Sequence, residues 1–348
     1  KEFADYCAKV NKGRKEKGEE PFKPIFGCEM YVARRTMHDK DKSMHDNSGY
    51  HLIVLAKNYN GYKNLIKLVS HAWVDGYYYR PRTDRAELEK YHEDLIVCSA
   101  CIAGEIPSKI IHGDIDGARE ACEWYHRVFG DDFYLELQRH EVKDPTILAN
   151  REAFPLQQKA NKVLLQFAKE YGIKVVCTND CHFEDKETAE AHDHLLCLAT
   201  NEDLDDPKRM RYSKQEWFKS RQEMNDVFSD IPEALTNTLE VLDKVEIYSI
   251  DHGPIMPFFP IPESFGTEEE WEKKFTEEDL YKEFTTDENG ENPLSPEEGQ
   301  KVIERLGGYE KIYRIKFEAD YLAKLAYDGA KKLYGDPLSD EVKSHIRF

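Results

Sequence analysis

Between Phe26 and Asn201 the chain alternates short runs rich in β-branched and aromatic residues with longer amphipathic stretches, and this alternation restricts the fold more than any other feature. The runs IFGCEMYV, HLIVLA, DLIVCS, FYLELQ and IKVVCTN have the length and composition of strands. Between them the apolar period predicts helices at Tyr62 to Val74, Ile115 to Phe129, Ile147 to Tyr171 and Thr188 to Ala199. Strand and helix in turn predict an α/β fold with a largely parallel sheet and crossover helices, as a barrel or an open doubly wound sheet. Ligands in both architectures sit at strand ends and in the loops that follow.

Two more helices are predicted at Arg221 to Phe228 and Pro232 to Val245. The passage HGPIMPFFPIPESFG then places Pro254, Pro257, Pro260 and Pro262 close together, which excludes helix and central strand and predicts a domain boundary. Beyond it the chain is acidic and helical, with EEEWEKK, a polar segment from Thr285 to Pro293 and a helix from Tyr309 to about Tyr334. No completed core is visible before SHIRF at the end, so this part is expected to be incomplete. At the other end Phe3, Tyr6, Cys7 and Val10 share one helical stripe, which reads as the interior of a domain that continues upstream.

At 348 residues there is length for about two domains of about 100–200 residues each. No apolar run approaches the ~18 residues of a membrane span. Eight cysteines without regular spacing, and no secretory signal, point to a reducing compartment and hence the cytoplasm. The net charge of −19 repels nucleic acid over most of the surface, so any DNA contact requires local basic patches or metal ions.

Several polar residues at strand ends are candidates for chemistry. In VVCTNDCHFE, Asp180 and His182 stand two apart, which on an extended segment points both to one side, where a carboxylate and an imidazole can share an ion. Asn179 is placed to brace that turn, and the competing reading is a plain Asn-Asp turn beside a surface histidine. Glu29 interrupts an apolar run, where a buried carboxylate needs a partner or a cation, unless it lies on the solvated face of an edge strand. His51 opens YHLIVLAKN at the start of a strand, away from the carboxyl ends that usually carry sites. Cys98 and Cys101 in CSAC admit a redox pair, half of a zinc site, or one ligand thiol beside a core thiol; Cys98 continues the strand, leaving Cys101 as the exposed one. His192 and His194, two apart on a helix, do not share a face, so at least one is structural. Arg80, Arg82, Lys208, Arg209 and Arg211, with Tyr77 to Tyr79 and Tyr212 beside them, form two basic clusters able to hold a phosphate backbone or to brace one domain against the next.

Taken in order, GCEMYV, YHLIVLAKN, VCSACIAGEIPS and VVCTNDCHF resemble the later motifs of the PHP domain (polymerase and histidinol phosphatase) of the bacterial replicative DNA polymerase III alpha-subunit family. GYYYRPR, LDDPKRMRYS and FSDIPEALTNTLEV extend the resemblance to about Phe265, and KFEADYLAKLAYDGAKKLYG looks like the start of the polymerase palm. The resemblance implies a distorted (βα) barrel of PHP type, truncated at its amino end, followed by a mainly helical start of the palm. The expected division is a PHP domain over 1–252, a Pro-rich linker over 253–266 and the beginning of the palm over 267–348. It implies a metal cluster of Glu29, His51, Cys101, Asp180 and His182, with Asp180 and His182 catalytic, while the family's first ligands, a His-x-His and then an Asp and a His, would precede Lys1. Imidazole, carboxylate and thiolate together suit zinc or manganese, two to three ions in the complete site. The implied reaction is 3'-to-5' phosphodiester hydrolysis, and the implied partners are a DNA primer-template and replisome subunits such as the sliding clamp and the proofreading subunit. Paired palm aspartates for magnesium are not placed before Phe348, so the chain is not expected to polymerise alone. The alternatives are a stand-alone PHP phosphoesterase and a non-catalytic platform.

Overall fold

The computed structural model describes residues 1–141, 149–251, 254, 259–286 and 294–346. The start of the helix expected from Ile147, residues 252, 253 and 255–258 of the Pro-rich passage, residues 287–293 of the polar segment and the last two residues of SHIRF lie outside them. Two compact units are present, Lys1–His252 and Gly253–Phe348.

The described residues of the first unit form six strands: β1 (Phe26–Ala33), β2 (Gly49–Ala56), β3 (Arg82–Thr83), β4 (Leu95–Cys98), β5 (Phe133–Leu137) and β6 (Lys174–Cys177). Their spatial order is β3-β1-β2-β4-β5-β6. The β1/β3, β4/β5 and β5/β6 pairs are parallel, but β2 runs antiparallel to both its neighbours. The sheet is parallel-rich, as expected, with β2 the exception. The connection from Ala33 to Gly49 holds one 3-10 turn, Lys42–Met44, and no crossover helix, so the chain returns beside β1 in the opposite sense. Among the described residues no ladder joins β3 to β6, so hydrogen bonding does not close the sheet into a barrel.

Among the described residues nine helices accompany the sheet: α1 (Glu2–Glu16), α2 (Tyr59–Val74), α3 (Arg85–Lys90), α4 (Glu105–Ile111), α5 (Ile115–Phe129), α6 (Ala149–Tyr171), α7 (Ala189–Thr200), α8 (Arg221–Val227) and α9 (Pro232–Lys244). Their starts follow local chemistry: the side chains of Asn58, Asp84 and Asp114 accept from the backbone of Gly61, Glu87 and Gly117, and Ser220 with Glu223 makes a capping box. Every residue of β4 and β5 is buried, as befits strands covered on both faces. Val54, Leu68, Val97, Leu135, Phe133, Tyr125 and Phe167 form the centre of the main core. The stripe read on α1 is not a buried face. Only Cys7 is buried there, while Phe3 and Tyr6 stand exposed.

The second unit holds α10 (Glu268–Lys274), α11 (Glu277–Thr285), α12 (Pro296–Leu306), α13 (Tyr309–Tyr334) and α14 (Asp340–Ile346). Thr267, Thr276 and Ser295 open three of these with capping boxes. Leu280, Ile303 and Ile312 make its core.

Candidate metal centre

The reversal of β2 brings His51 to the place where ligands gather. Because β2 is antiparallel to β1 and β4, its first residues lie beside the carboxyl ends of both: Tyr31 pairs with His51, and Ile53 with Cys98. A strand start thereby stands among strand ends. The loop after β4 folds back onto it, with the His51 N–H donating to the Ala103 carbonyl at 3.1 Å and a bridge to Gly104. Only glycine fits at 104, since a Cβ there would stand 2.0 Å from the Ser99 carbonyl oxygen. That fold-back carries Cys101 to the imidazole.

Three donors converge at this point. Glu29 Oε1 lies 2.6 Å from His51 Nδ1, and Cys101 Sγ lies 3.6 Å from the same nitrogen. One ligand atom from each of Glu29, His51 and Cys101 lies within 4.8 Å of the other two. Its hydrogen bond with Cys101 and then the Glu29 carboxylate, both partners able to accept from the ring, raise the His51 pKa to about 10. In return His51 lowers the Glu29 pKa. A carboxylate, an imidazole and a thiol arranged around a positive charge are a donor set that fits a divalent cation. Cys98 is buried in the core, and all eight cysteines are free.

Asp180 and His182 line the same cavity, of about 510 Å³, with Glu29, His51 and Cys101, although their donor atoms stand outside the tight group of three. Their convergence has a different cause from the one expected. Asp180 has φ +47°, so the segment is a turn rather than an extended strand tip, and the His182 ring curls back to place Nδ1 2.6 Å from the Asp180 carbonyl oxygen. Burial raises the Asp180 pKa. Asn179 braces this turn through a neighbouring strap: its Nδ2 donates to the carbonyls of Gln215 (2.8 Å) and Trp217 (2.7 Å), and its Oδ1 accepts from Lys219 Nζ at 3.3 Å. The His182 N–H adds a bond to the Glu216 carbonyl at 2.8 Å.

The structure adds residues that sequence reasoning passed over. His140 is 3% exposed and lines the cavity; its Nε2 donates to the Asn179 carbonyl at 3.1 Å, Gln157 donates to its Nδ1 at 3.0 Å, and Glu216 stands 3.3 Å from that nitrogen. The rule that found Asp180 applies equally here, since QRH follows directly on β5. Tyr212, read as a neighbour of basic residues, places its hydroxyl 2.9 Å from His182 Nε2. His192 packs its ring 6.0 Å from that of His182, whereas His194 bonds the Glu190 carbonyl of its own helix.

The basic clusters divide. Arg82 is wholly buried, donating to the carbonyls of Gly76, Asp46, Met37 and Asp39 at 2.8–3.1 Å. Arg209 is almost wholly buried in a bidentate pair with Asp193, both bonds 2.7 Å. A guanidinium engaged inside the fold is not free for a phosphate, so of the two readings open for these arginines the geometry of both fits a brace, here one within the first unit. Arg80 and Lys208 are exposed, and Arg80 lies over the ring of Tyr31, which lines the cavity.

Comparison with known proteins agrees with the motifs. The PHP domain family matches residues 1–140. The DNA polymerase III subunit alpha of Borreliella burgdorferi is 40% identical over 264 residues, 75% of this chain and 22% of that protein. Those of Treponema pallidum and Thermus aquaticus are 34% and 35% identical over 72% and 73% of the chain, covering 21% and 20% of theirs. The chain thus spans about a fifth of the length of these relatives. With a PHP match at one end and polymerase similarity across some three quarters of its residues, the chain carries a PHP domain at residues 1–140 and is homologous to the N-terminal region of bacterial DNA polymerase III alpha subunits.

Proposed function

We propose that this chain is the PHP-bearing region of a replicative DNA polymerase and that its cavity is a metal-dependent 3'-to-5' phosphodiesterase site. The observation that carries the reading is the meeting of Glu29, His51 and Cys101 in one cavity with Asp180 and His182. Zinc or manganese held by these five side chains would supply Lewis acidity, activating water and neutralising a leaving oxygen. Glu29 orients His51, and the strap from Ser213 to Lys219 fixes the turn that presents Asp180 and His182. Cations there also supply the positive field that a chain of net charge −19 lacks toward DNA.

Under this reading residues 1–252 are the PHP domain, 253–266 a linker and 267–348 the beginning of the palm. DNA synthesis, its magnesium ions, the primer-template and partners such as the sliding clamp and proofreading subunit belong to the whole polymerase, at work in the cytoplasm. Similarity running well beyond residue 140 favours this over a stand-alone phosphoesterase.

The test is elemental analysis together with digestion of a mismatched primer end, comparing the protein with Asp180→Asn. Bound zinc or manganese is expected, with nuclease activity lost in the variant and its circular dichroism and melting unchanged. Undiminished digestion by Asp180→Asn overturns the assignment.

A further inference from the structure

Both ring nitrogens of His182 are engaged. Nδ1 faces a backbone carbonyl, which only accepts, so Nδ1 carries the proton and Nε2 keeps the lone pair. The Tyr212 hydroxyl, 2.9 Å away, donates to that lone pair. The contact is built rather than incidental: the two rings lie 4.4 Å apart, and His192 packs against both. A histidine whose one N–H is tied to a carbonyl presents its other nitrogen to an ion. Tyr212 therefore occupies the ligand face of His182, inside the cavity that Glu29, His51 and Cys101 also line.

We propose that Tyr212 is a gate on the metal centre: in the metal-free protein its hydroxyl caps Nε2 of His182 and competes with a divalent cation for that lone pair. The proposal rests on the metal-centre reading above. The geometry also sets an order of filling. Glu29, His51 and Cys101 already converge, so the first cation is held there, and the half of the cavity that uses His182 fills only as the phenol swings aside. A phenol is protonated at neutral pH and is a weak ligand, so competition rather than coordination is its role.

Tyr212→Phe keeps the ring and removes only the hydroxyl. In the metal-free protein, acylation of His182 by diethyl pyrocarbonate, located by peptide mass mapping, is expected to be several-fold faster in Tyr212→Phe, with exposed His194 unchanged as internal reference. Calorimetric titration with manganese is expected to show the tighter site unaffected and the weaker one tightened about ten-fold. Equal acylation rates overturn the cap; unchanged or weakened manganese binding in the variant overturns the competition. If neither protein binds manganese, the metal centre itself falls and the gate with it. The acylation arm needs no metal, and so tells that failure apart from failure of the cap.

Discussion

One guanidinium holds four backbone carbonyls at Arg82, tying the loop between β1 and β2 to Gly76. The side chain is wholly buried, and its hydrogen bonds go to backbone carbonyls, with the Asp46 and Asp39 carboxylates contributing only through their charge. Lysine retains the charge and lacks the fork. Arg82→Lys is therefore expected to cost about 2 kcal/mol or more, since carbonyls left without donors inside the protein keep their desolvation penalty. Urea unfolding checks this, and a stability equal to the parent's would show that the fork is dispensable. A phosphate contact would respond the opposite way, tolerating lysine. Residue type alone cannot separate these roles: GYYYRPR offers arginine beside aromatic residues, and only the path of the chain around it decides whether the fork points in or out. The same limit applied to Tyr212 and His140, whose importance lies in what reaches them. Glu29 drew notice as a carboxylate in an apolar run, yet its side chain is 41% exposed, so it was its neighbour His51 and not burial that set it apart.

At the level of elements, the five longer strands and most of the helices were legible because β-branched runs and a 3.6-residue period are local properties. Orientation is not local, and nothing in HLIVLA says which way it runs. β3, two residues long, carries no period. The sheet's far edge shows how an element pair is fastened once direction is set. α9 lies on β6, with Asn237 Nδ2 donating to the Val175 carbonyl at 2.8 Å. Glu240 on α9 accepts from Lys174 Nζ at 2.5 Å and from the Tyr134 hydroxyl at 2.7 Å. Those bonds, Lys174 first, lower its pKa from 4.5 to about 2. A carboxyl depressed on folding stabilises above its unfolded value and loses that contribution as pH falls toward the folded one. Glu240→Gln is thus expected to lower the melting temperature near neutrality and to flatten its fall between pH 4.5 and about 2. Parallel melting curves for parent and variant through that window would rule out this carboxylate as a source of the acid sensitivity.

At the scale of the molecule, composition and structure meet in the charge. A net −19 asked for basic patches, and the fold draws two of the candidate arginines inside, so the proposed reading relies on cations in the cavity to offset phosphate repulsion. The five proposed ligands come from four separate stretches, β1, β2, the loop after β4 and the turn after β6, so spacing singled out only Asp180 with His182, and the full set came from motif resemblance. The acidic second unit raises a different question, because helices rich in Glu and Lys need a core to fold. Leu280 of α11, Ile303 of α12 and Ile312 of α13 supply one, each 0–1% exposed, framed by Phe275, Phe284 and Leu306. With so few buried residues each carries a large share, and capping boxes on α10, α11 and α12 contribute only about 1 kcal/mol apiece. Leu280→Ala removes a fully enclosed side chain and is expected to cost about 2–5 kcal/mol. Hydrogen exchange is the sharper readout: amides of α11, α12 and α13 should lose protection together, while those of β4 and β5 keep theirs. Protection lost in α11 alone would mean that the three helices do not share one core.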